Sequence, residues 1–219
     1  MKCPQVTAIA GAGGKTTLIR RESARLRALG LKVLVTTTVH MMIERHTDLT
    51  CRADSLKSTL FATGICMAGA PCRDDPLKFS ALPEEVYYQA CQYADRVLVE
   101  ADGARRLPAK FPREDEPALP SNVTDVIVVM GLDSLGKPIR NTLHRFGLMC
   151  QSWGISPDEL ITFSLLKDIV QRCYLTRLAA FPCRVLYSKS EGRELRFLSP
   201  EEAELFCEFS SADPCARRR

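Results

Sequence analysis

A glycine-rich segment near the amino end has the residue types of a phosphate-binding loop. It follows an apolar run at 6–10 and precedes a stretch at 18–29 that is typical of a helix. Backbone N–H groups can curl around an anion where no Cβ intrudes, and a helix that begins here adds its positive dipole end. This order predicts a nucleotide site, although Ile9 stands where the usual pattern has its first glycine. The predicted nucleotide-binding residues of the loop are Gly11, Ala12, Gly13, Gly14, Lys15, Thr16 and Thr17.

Lys15 and Thr16 are the residues of this loop whose side chains are expected to contact a nucleotide and its metal ion. A lysine at this position reaches the β- and γ-phosphates, and the hydroxyl that follows it ligates Mg²⁺. We therefore expect ATP or GTP as the ligand, with Mg²⁺ as the accompanying metal ion.

A pair of carboxylates, Glu100 and Asp102, follows a short apolar run at 97–99. Residues two apart share one side of an extended chain, and two like charges this close favour a cation between them. A carboxylate at the end of a strand beside a phosphate loop commonly holds Mg²⁺. We predict that Glu100 and Asp102 bind the metal with Thr16, or that one of them does so while the other orients an attacking water or hydroxyl, and that the Gly103 N–H contacts the γ-phosphate. The predicted catalytic residues are Lys15, Glu100 and Asp102.

Further polar residues stand at the ends of predicted strands and in a long loop. Thr37 and Thr38 end the second predicted strand, where they either face the ligand crevice or simply suit a strand. The segment at 103–120 contains four prolines and is too long for a mere connection. Its cationic residues either reach phosphates or an anionic substrate, or are solvated surface charges. They are Arg105, Arg106 and Lys110.

The elements that must position these residues alternate between strand and helix. Strands are predicted at 6–10, 33–38, 65–68, 97–100 and 125–130, and helices at 18–29 and 83–93. Such an alternation is typical of βαβ units and of a parallel sheet. The predicted fold class is α/β: a mostly parallel sheet, like that of P-loop NTPases, with helices on both faces in three layers. We expect one domain over 1–210 and a flexible basic tail at 211–219.

The carboxy-terminal third is less regular. Ser156 to Glu159 has the pattern of a helix start, which predicts helical segments over 158–178. A further helix is predicted at 200–209. We interpret His144 as a structural histidine and Trp153 as part of the core.

Composition narrows the possible partners. The chain has 219 residues and a net charge of +4, of which the last three arginines supply three charges, so nothing favours a nucleic-acid partner. None of the ten cysteines forms a Cys-x-x-Cys pair, which favours reduced thiols over a zinc site or a disulfide framework. No apolar run approaches the roughly 20 residues needed to span a bilayer. We therefore expect a cytoplasmic protein without a membrane partner.

Together these motifs resemble the YqeC-type selenium cofactor biosynthesis proteins, also described as selenium-dependent molybdenum hydroxylase accessory proteins. Besides the glycine loop and Glu-Ala-Asp-Gly at 100–103, the resemblance includes 107–110, 116–120, 131–138 and 144–145. It implies a nucleotide-binding role for the loop and an active-site role for the two carboxylates. It also implies assistance to molybdenum hydroxylases that carry labile selenium, with such a hydroxylase or its cofactor precursor as partner.

The base preference and the reaction stay open. A late strand at 184–187 ends in Ser188, Lys189, Ser190 and Glu191, where the family tends towards Asn-Lys-x-Asp, so ATP and GTP remain alternatives. Three functions remain as well. They are an NTP-hydrolysing accessory protein whose 103–120 loop responds to the nucleotide, a small-molecule kinase, and a nucleotide-dependent regulatory module without turnover.

Overall fold

The computed structural model describes residues 3–189 and contains twelve strands within that range. Apolar, mostly β-branched runs such as Val-Ile-Val-Val at 126–129 form the buried strands, as expected for a sheet covered on both faces. The strands are β1 Gln5–Gly11, β2 Val33–Thr37, β3 His40–Met42, β4 Thr47–Asp48, β5 Ile65–Ala68, β6 Ala70–Pro71, β7 Lys78–Ser80, β8 Arg96–Glu100, β9 Ala109–Lys110, β10 Asp125–Gly131, β11 Leu143–His144 and β12 Cys183–Ser188.

Helices connect these strands. The α-helices are α1 Lys15–Ala28, α2 Ala53–Thr63, α3 Glu84–Cys91, α4 Ile139–Thr142, α5 Phe146–Trp153 and α6 Phe163–Ile169. A 3₁₀ turn spans Leu132–Ser134, and a π-helix, Val170–Leu175, continues α6. None of the helices within residues 3–189 is both long and apolar enough to cross a bilayer.

Seven parallel strands form the central sheet, in the order β12-β10-β1-β8-β2-β5-β4. The strand that leads into the glycine loop therefore lies between β8 and β10, and Ile9 of β1 pairs with Glu100 of β8. Two small sheets accompany it: antiparallel β3-β7-β6 and the parallel pair β9-β11.

Helices cover both faces of the central sheet. On one face, Ile19 and Leu26 of α1 pack against Ile9, Val35 and Leu98. The other face carries two clusters, one with α2 and α3 and one with α5 and α6. Successive strand residues such as Leu98 and Val99 belong to opposite faces, as the pleat requires. The predicted three-layer α/β/α class with a mostly parallel sheet is confirmed.

Helical segments lie within 158–178 as predicted, but the structure corrects where the first of them begins. Ser156 does not begin a helix: its N–H donates to Glu159 Oε1 at 2.8 Å, but the turn stops there and leaves Leu160 54% exposed. The helix begins at Phe163, where the Thr162 hydroxyl caps the Leu165 N–H. Trp153 packs against the core through Phe111, as predicted. The predicted helix at 200–209 and tail at 211–219 lie outside the described residues.

Candidate functional site

The glycine loop joins β1 to α1 in a conformation that requires glycine. Gly13 has φ +77°, and a Cβ on it would come within 2.4 Å of the Pro108 carbonyl oxygen and 2.6 Å of Gly131 Cα. Gly14, with φ +136°, precedes the first helical residue, Lys15, and as a glycine it supplies no side chain to cap this helix start. The first N–H groups of α1 therefore point out of the helix end with no acceptor from the N-cap residue.

Lys15, Thr16 and Glu100 meet at the open side of this loop. The Lys15 Nζ donates to the Gly11 carbonyl oxygen at 2.8 Å and lies 3.8 Å from Glu100 Oε1. The Thr16 hydroxyl donates to Glu100 Oε2 at 3.4 Å. Burial raises the pKa of the Glu100 carboxyl, against the opposing effects of Lys15 and Thr16. Burial also lowers the pKa of the Lys15 ammonium, which Glu100 opposes.

Asp102 takes a different place from Glu100. Strand β8 ends at Glu100, so the alternation of side chains that predicted a shared side does not extend to Asp102. Asp102 is 0% exposed and accepts hydrogen bonds from the Gly11 N–H at 3.1 Å and from the Tyr174 hydroxyl at 2.9 Å. Only Glu100 of the two lines the cavity described below. The predicted pairing of both carboxylates around one metal ion gains no support from this arrangement.

A buried network links the loop to the 103–120 segment. Lys110, for which the sequence left a contact with an anion and a solvated surface charge as alternatives, is 0% exposed: its Nζ is ion-paired with Asp102 and lies 2.9 Å from Glu116 Oε2. Burial lowers the pKa of Lys110 to about 8, against the opposing effect of Glu116. Arg145 binds both carboxylate oxygens of Glu116. We call Asp102, Lys110 and Glu116 the buried network.

Hydrogen bonds stabilise the ionised form of Glu116 in this network. Burial alone would raise the pKa of its carboxyl, but hydrogen bonds from Arg145 and Lys110 outweigh burial and lower the pKa to about 2. The Arg113 N–H donates a further hydrogen bond to Glu116 Oε2 at 3.1 Å. Because it is ionised at neutral pH, Glu116 holds Arg145 at the edge of the cavity.

A cavity of about 550 Å³ opens between these elements. One wall is the glycine loop from Gly13 to Thr17 with Glu100, and another is 39–42 with Lys78. The remaining wall comes from 103–107, Arg113, Glu116, His144 and Arg145, with Lys189 at the rim. Gly103 lies at the cavity, with its carbonyl oxygen bound by the Lys110 Nζ at 2.7 Å.

Four of the residues predicted to bind the nucleotide lie outside this cavity. Gly11 and Ala12 are buried, with their N–H groups bound to Asp102 and to the Val129 carbonyl oxygen. The Thr37 hydroxyl donates to the Glu100 carbonyl oxygen at 2.8 Å, and the Thr38 hydroxyl donates to that of Ala118 at 2.5 Å. Thr37 thus joins the end of β2 to the end of β8, and Thr38 joins it to the 103–120 segment. Both threonines line a second cavity of about 260 Å³.

Sequence reasoning missed His144, Arg145, Arg113 and Glu116 as cavity residues. Burial lowers the pKa of His144 to about 4, and the charges of Arg145, Lys110 and Arg105 act in the same direction. His144 was interpreted as structural, yet it is partly exposed at the cavity wall. The two-residue pairing of β9 with β11 brings it there, and no local pattern predicts so short a contact.

The residues that face the cavity suit a metal ion only in company with a ligand. Within residues 3–189 there is no group of three or more His, Cys, Asp and Glu side chains that could hold a metal. Mg²⁺, however, characteristically takes one or two protein oxygens together with phosphate oxygens and water. The Thr16 hydroxyl and the Glu100 carboxylate fit that requirement.

Comparisons with known proteins agree on one family. The family model described as YqeC protein matches residues 7–147, a range that contains the glycine loop, both predicted carboxylates and Arg145. The protein named "Uncharacterized protein YqeC" of Escherichia coli (strain K12) is 33% identical over 176 residues, which are 78% of this chain and 69% of that protein. The chain therefore belongs to the YqeC protein family.

Proposed function

We propose that this protein binds ATP or GTP with Mg²⁺ in the large cavity and hydrolyses the nucleotide. The contact of Thr16 with Glu100 beside Lys15 is the observation that carries the proposal. A buried carboxylate next to a hydroxyl offers two oxygen ligands to a cation, and the free N–H groups of the glycine loop and of the α1 start suit the phosphates. Phosphoryl transfer depends mostly on such positioning and charge.

The roles of the two carboxylates differ in this proposal. Glu100 binds Mg²⁺ with Thr16, whereas Asp102 holds the Gly11 N–H and Lys110 and acts through them. Lys15 contacts the β- and γ-phosphates, and Gly13, Gly14 and Thr17 contribute backbone N–H groups. The Gly103 N–H is proposed to contact the γ-phosphate, so that the 103–120 segment responds to hydrolysis.

Titration with ATP, GTP and CTP, with and without Mg²⁺, tests the binding, and phosphate release tests the turnover. We expect Lys15→Ala to abolish measurable nucleotide affinity, while Lys57→Ala, on the exposed side of α2, leaves it unchanged. Equal affinity in wild type and Lys15→Ala would remove the loop from the site. Tight nucleotide binding without phosphate release would instead favour a nucleotide-dependent regulatory module without turnover.

A small-molecule kinase is the second candidate function. It is favoured by His144, which lines the cavity and whose lowered pKa keeps the imidazole neutral at pH 7. A neutral imidazole can accept a hydrogen bond from an attacking hydroxyl and orient it, whereas a pKa this low makes it a weak base. Phosphate transfer that appears only when an acceptor is added, with little release to water, would select this function over hydrolysis.

We further propose that the client is a selenium-dependent molybdenum hydroxylase or its cofactor precursor. This proposal rests on the family resemblance, since the curated relative is itself named only as uncharacterised. The test is a host that makes such a hydroxylase and from which the gene for this chain is deleted. Hydroxylase activity should return with the wild-type gene and not with Lys15→Ala. Full activity in the deletion strain would contradict the proposal.

A further inference from the structure

Cationic side chains outnumber acidic ones in the wall of the cavity. Within residues 3–189 seven lysine or arginine side chains line it, together with two carboxylates, Glu100 and Glu116. Lys15 pairs with the first carboxylate and Arg145 with the second. Three more cations pair with carboxylates outside the cavity, Lys78 with Asp75, Arg113 with Asp115 and Lys189 with Asp133.

Arg105 and Arg106 are the two of these cations that lack a partner within residues 3–189. Neither side chain has a hydrogen bond or an ion pair in the described part of the chain, and both are exposed at the cavity. Both have positive φ, 47° and 63°, in a turn closed by the Leu107 N–H and the Ala104 carbonyl oxygen at 2.9 Å. Residues with a Cβ adopt this conformation at a cost of roughly 1–2 kcal/mol each, so surrounding contacts must enforce it.

Those contacts hold both ends of the turn. The Lys110 Nζ donates to the Gly103 carbonyl oxygen at 2.7 Å, and the Gly131 N–H donates to that of Pro108 at 2.8 Å. Pro108 also packs against Gly13 of the glycine loop. The turn is therefore fixed beside the proposed phosphate site, although its arginine side chains bind nothing there.

Arg145 extends the same wall from a separate part of the chain. Its φ is +63°, and Glu116 holds its guanidinium from one side. His144 pairs with Lys110 in the small parallel sheet, and this pairing places the next residue, Arg145, near the 103–107 turn. We call Arg105, Arg106 and Arg145 the arginine wall. Guanidinium groups bind phosphate and carboxylate oxygens with paired hydrogen bonds.

From this arrangement, and resting on the proposed function, we infer that the cavity binds a second anionic ligand beside the nucleotide. The ligand is a small molecule with a phosphate or carboxylate group, and the arginine wall holds that group. The competing arrangement is that the same arginines contact the γ-phosphate of the nucleotide itself. The two differ in whether a nucleotide-loaded protein still binds an anion.

The test loads the full chain with Mg²⁺ and a non-hydrolysable β,γ-imido nucleotide and then titrates inorganic phosphate or succinate by calorimetry. We expect one of these probes to bind the loaded wild-type protein. Arg105→Gln/Arg106→Gln should weaken that binding roughly tenfold or more, since hydrogen bonds between charged groups are lost, with nucleotide affinity unchanged. Arg52→Gln, exposed at the start of α2, is the matched control and should change neither.

Two results overturn the inference. One is a loaded wild-type protein that binds neither probe, and the other is probe binding that the double variant retains in full. If wild type binds no nucleotide, the proposed function fails, and the titration is repeated on the nucleotide-free protein. In that titration, the arginine wall is supported if Lys15→Ala still binds the anion and Arg105→Gln/Arg106→Gln does not. Any other combination of results rejects the arginine wall.

Discussion

Glu100 is the carboxylate ligand of the proposed Mg²⁺ site. Its carboxylate is 8% exposed, contacts the Thr16 hydroxyl and has a raised pKa because of its burial. A bound cation would offset the cost of burying this charge. A Mg²⁺ ion that arrives with the nucleotide would therefore stabilise the ionised form of Glu100.

Glu100→Gln should consequently remove the effect of Mg²⁺ on nucleotide binding. We expect the gain in affinity that Mg²⁺ gives to wild type to fall by roughly tenfold or more, because a neutral amide replaces a charged ligand. Titrations with a fluorescent nucleotide, with Mg²⁺ and with EDTA, measure this. Glu85→Gln on the exposed face of α3 is the control. A full Mg²⁺ effect in Glu100→Gln would exclude this carboxylate as a ligand.

His144 should titrate far below an ordinary histidine. Burial and the nearby charges of Arg145 and Lys110 lower its pKa from 6.5 to about 4. Because the fold favours the neutral form, this contribution to stability is complete above pH 6.5 and is lost as the pH falls towards 4. NMR of the imidazole protons against pH measures the midpoint, and His144→Gln identifies the resonance. A midpoint near 6.5 would contradict the buried, cation-flanked environment.

At the scale of elements, the glycine loop is fixed by its neighbours as much as by its own sequence. Gly13→Ala places a Cβ against the Pro108 carbonyl oxygen and Gly131, both backbone groups that cannot rotate away. We expect a loss of stability of about 2 kcal/mol or more, with loss of nucleotide binding. Chemical denaturation measures the first and titration the second.

Gly30→Ala is the matched control for the glycine loop. Gly30 has φ +78°, nearly that of Gly13, but a Cβ there meets nothing within 4 Å. Its substitution therefore carries only the conformational cost of about 1–2 kcal/mol. If both variants lose the same stability, the Pro108 carbonyl oxygen does not lie close to Gly13 as described.

Substitution of Lys110 measures how much the buried network contributes to the stability of the fold. Lys110→Met leaves Asp102 and Glu116 buried without their shared cation, which should cost about 3–5 kcal/mol. Lys32→Met, which removes a half-exposed partner 3.9 Å from Asp95, should cost about 1 kcal/mol or less. Urea denaturation of both variants gives the comparison. Similar losses would mean that the network contributes no more than a surface ion pair.

The sequence predicted most of the central sheet and the glycine loop because their signals are local. Apolar runs such as 97–99 and the spacing of glycines before Lys15 need no distant partner. Lys110 was misplaced because a charged, proline-rich segment resembles surface, while its burial depends on acids at 102 and 116. The role of Arg145 was missed since it follows from the pairing of β9 with β11, which are 34 residues apart in register.

At the scale of the whole molecule, the cavity joins segments that are distant in the chain. The glycine loop, 39–42, Glu100 with 103–107, and His144–Arg145 all line it. A ligand that contacts several of these segments binds only the folded protein, and it should stabilise the whole fold by mass action rather than one loop. The size of that effect depends only on the ratio of free ligand to its dissociation constant.

Magnesium–nucleotide should therefore raise the unfolding temperature of the whole chain. At a hundred times the dissociation constant, the gain is about 2.7 kcal/mol, and for a domain of this size each kcal/mol corresponds to roughly 2–4 °C. We expect a rise of about 5–11 °C in scanning calorimetry, none in Lys15→Ala, and a smaller rise in Glu100→Gln, which lacks the metal ligand. An equal rise in wild type and Lys15→Ala would mean that the nucleotide binds the folded chain away from the glycine loop, because binding at any site of the folded state raises the unfolding temperature.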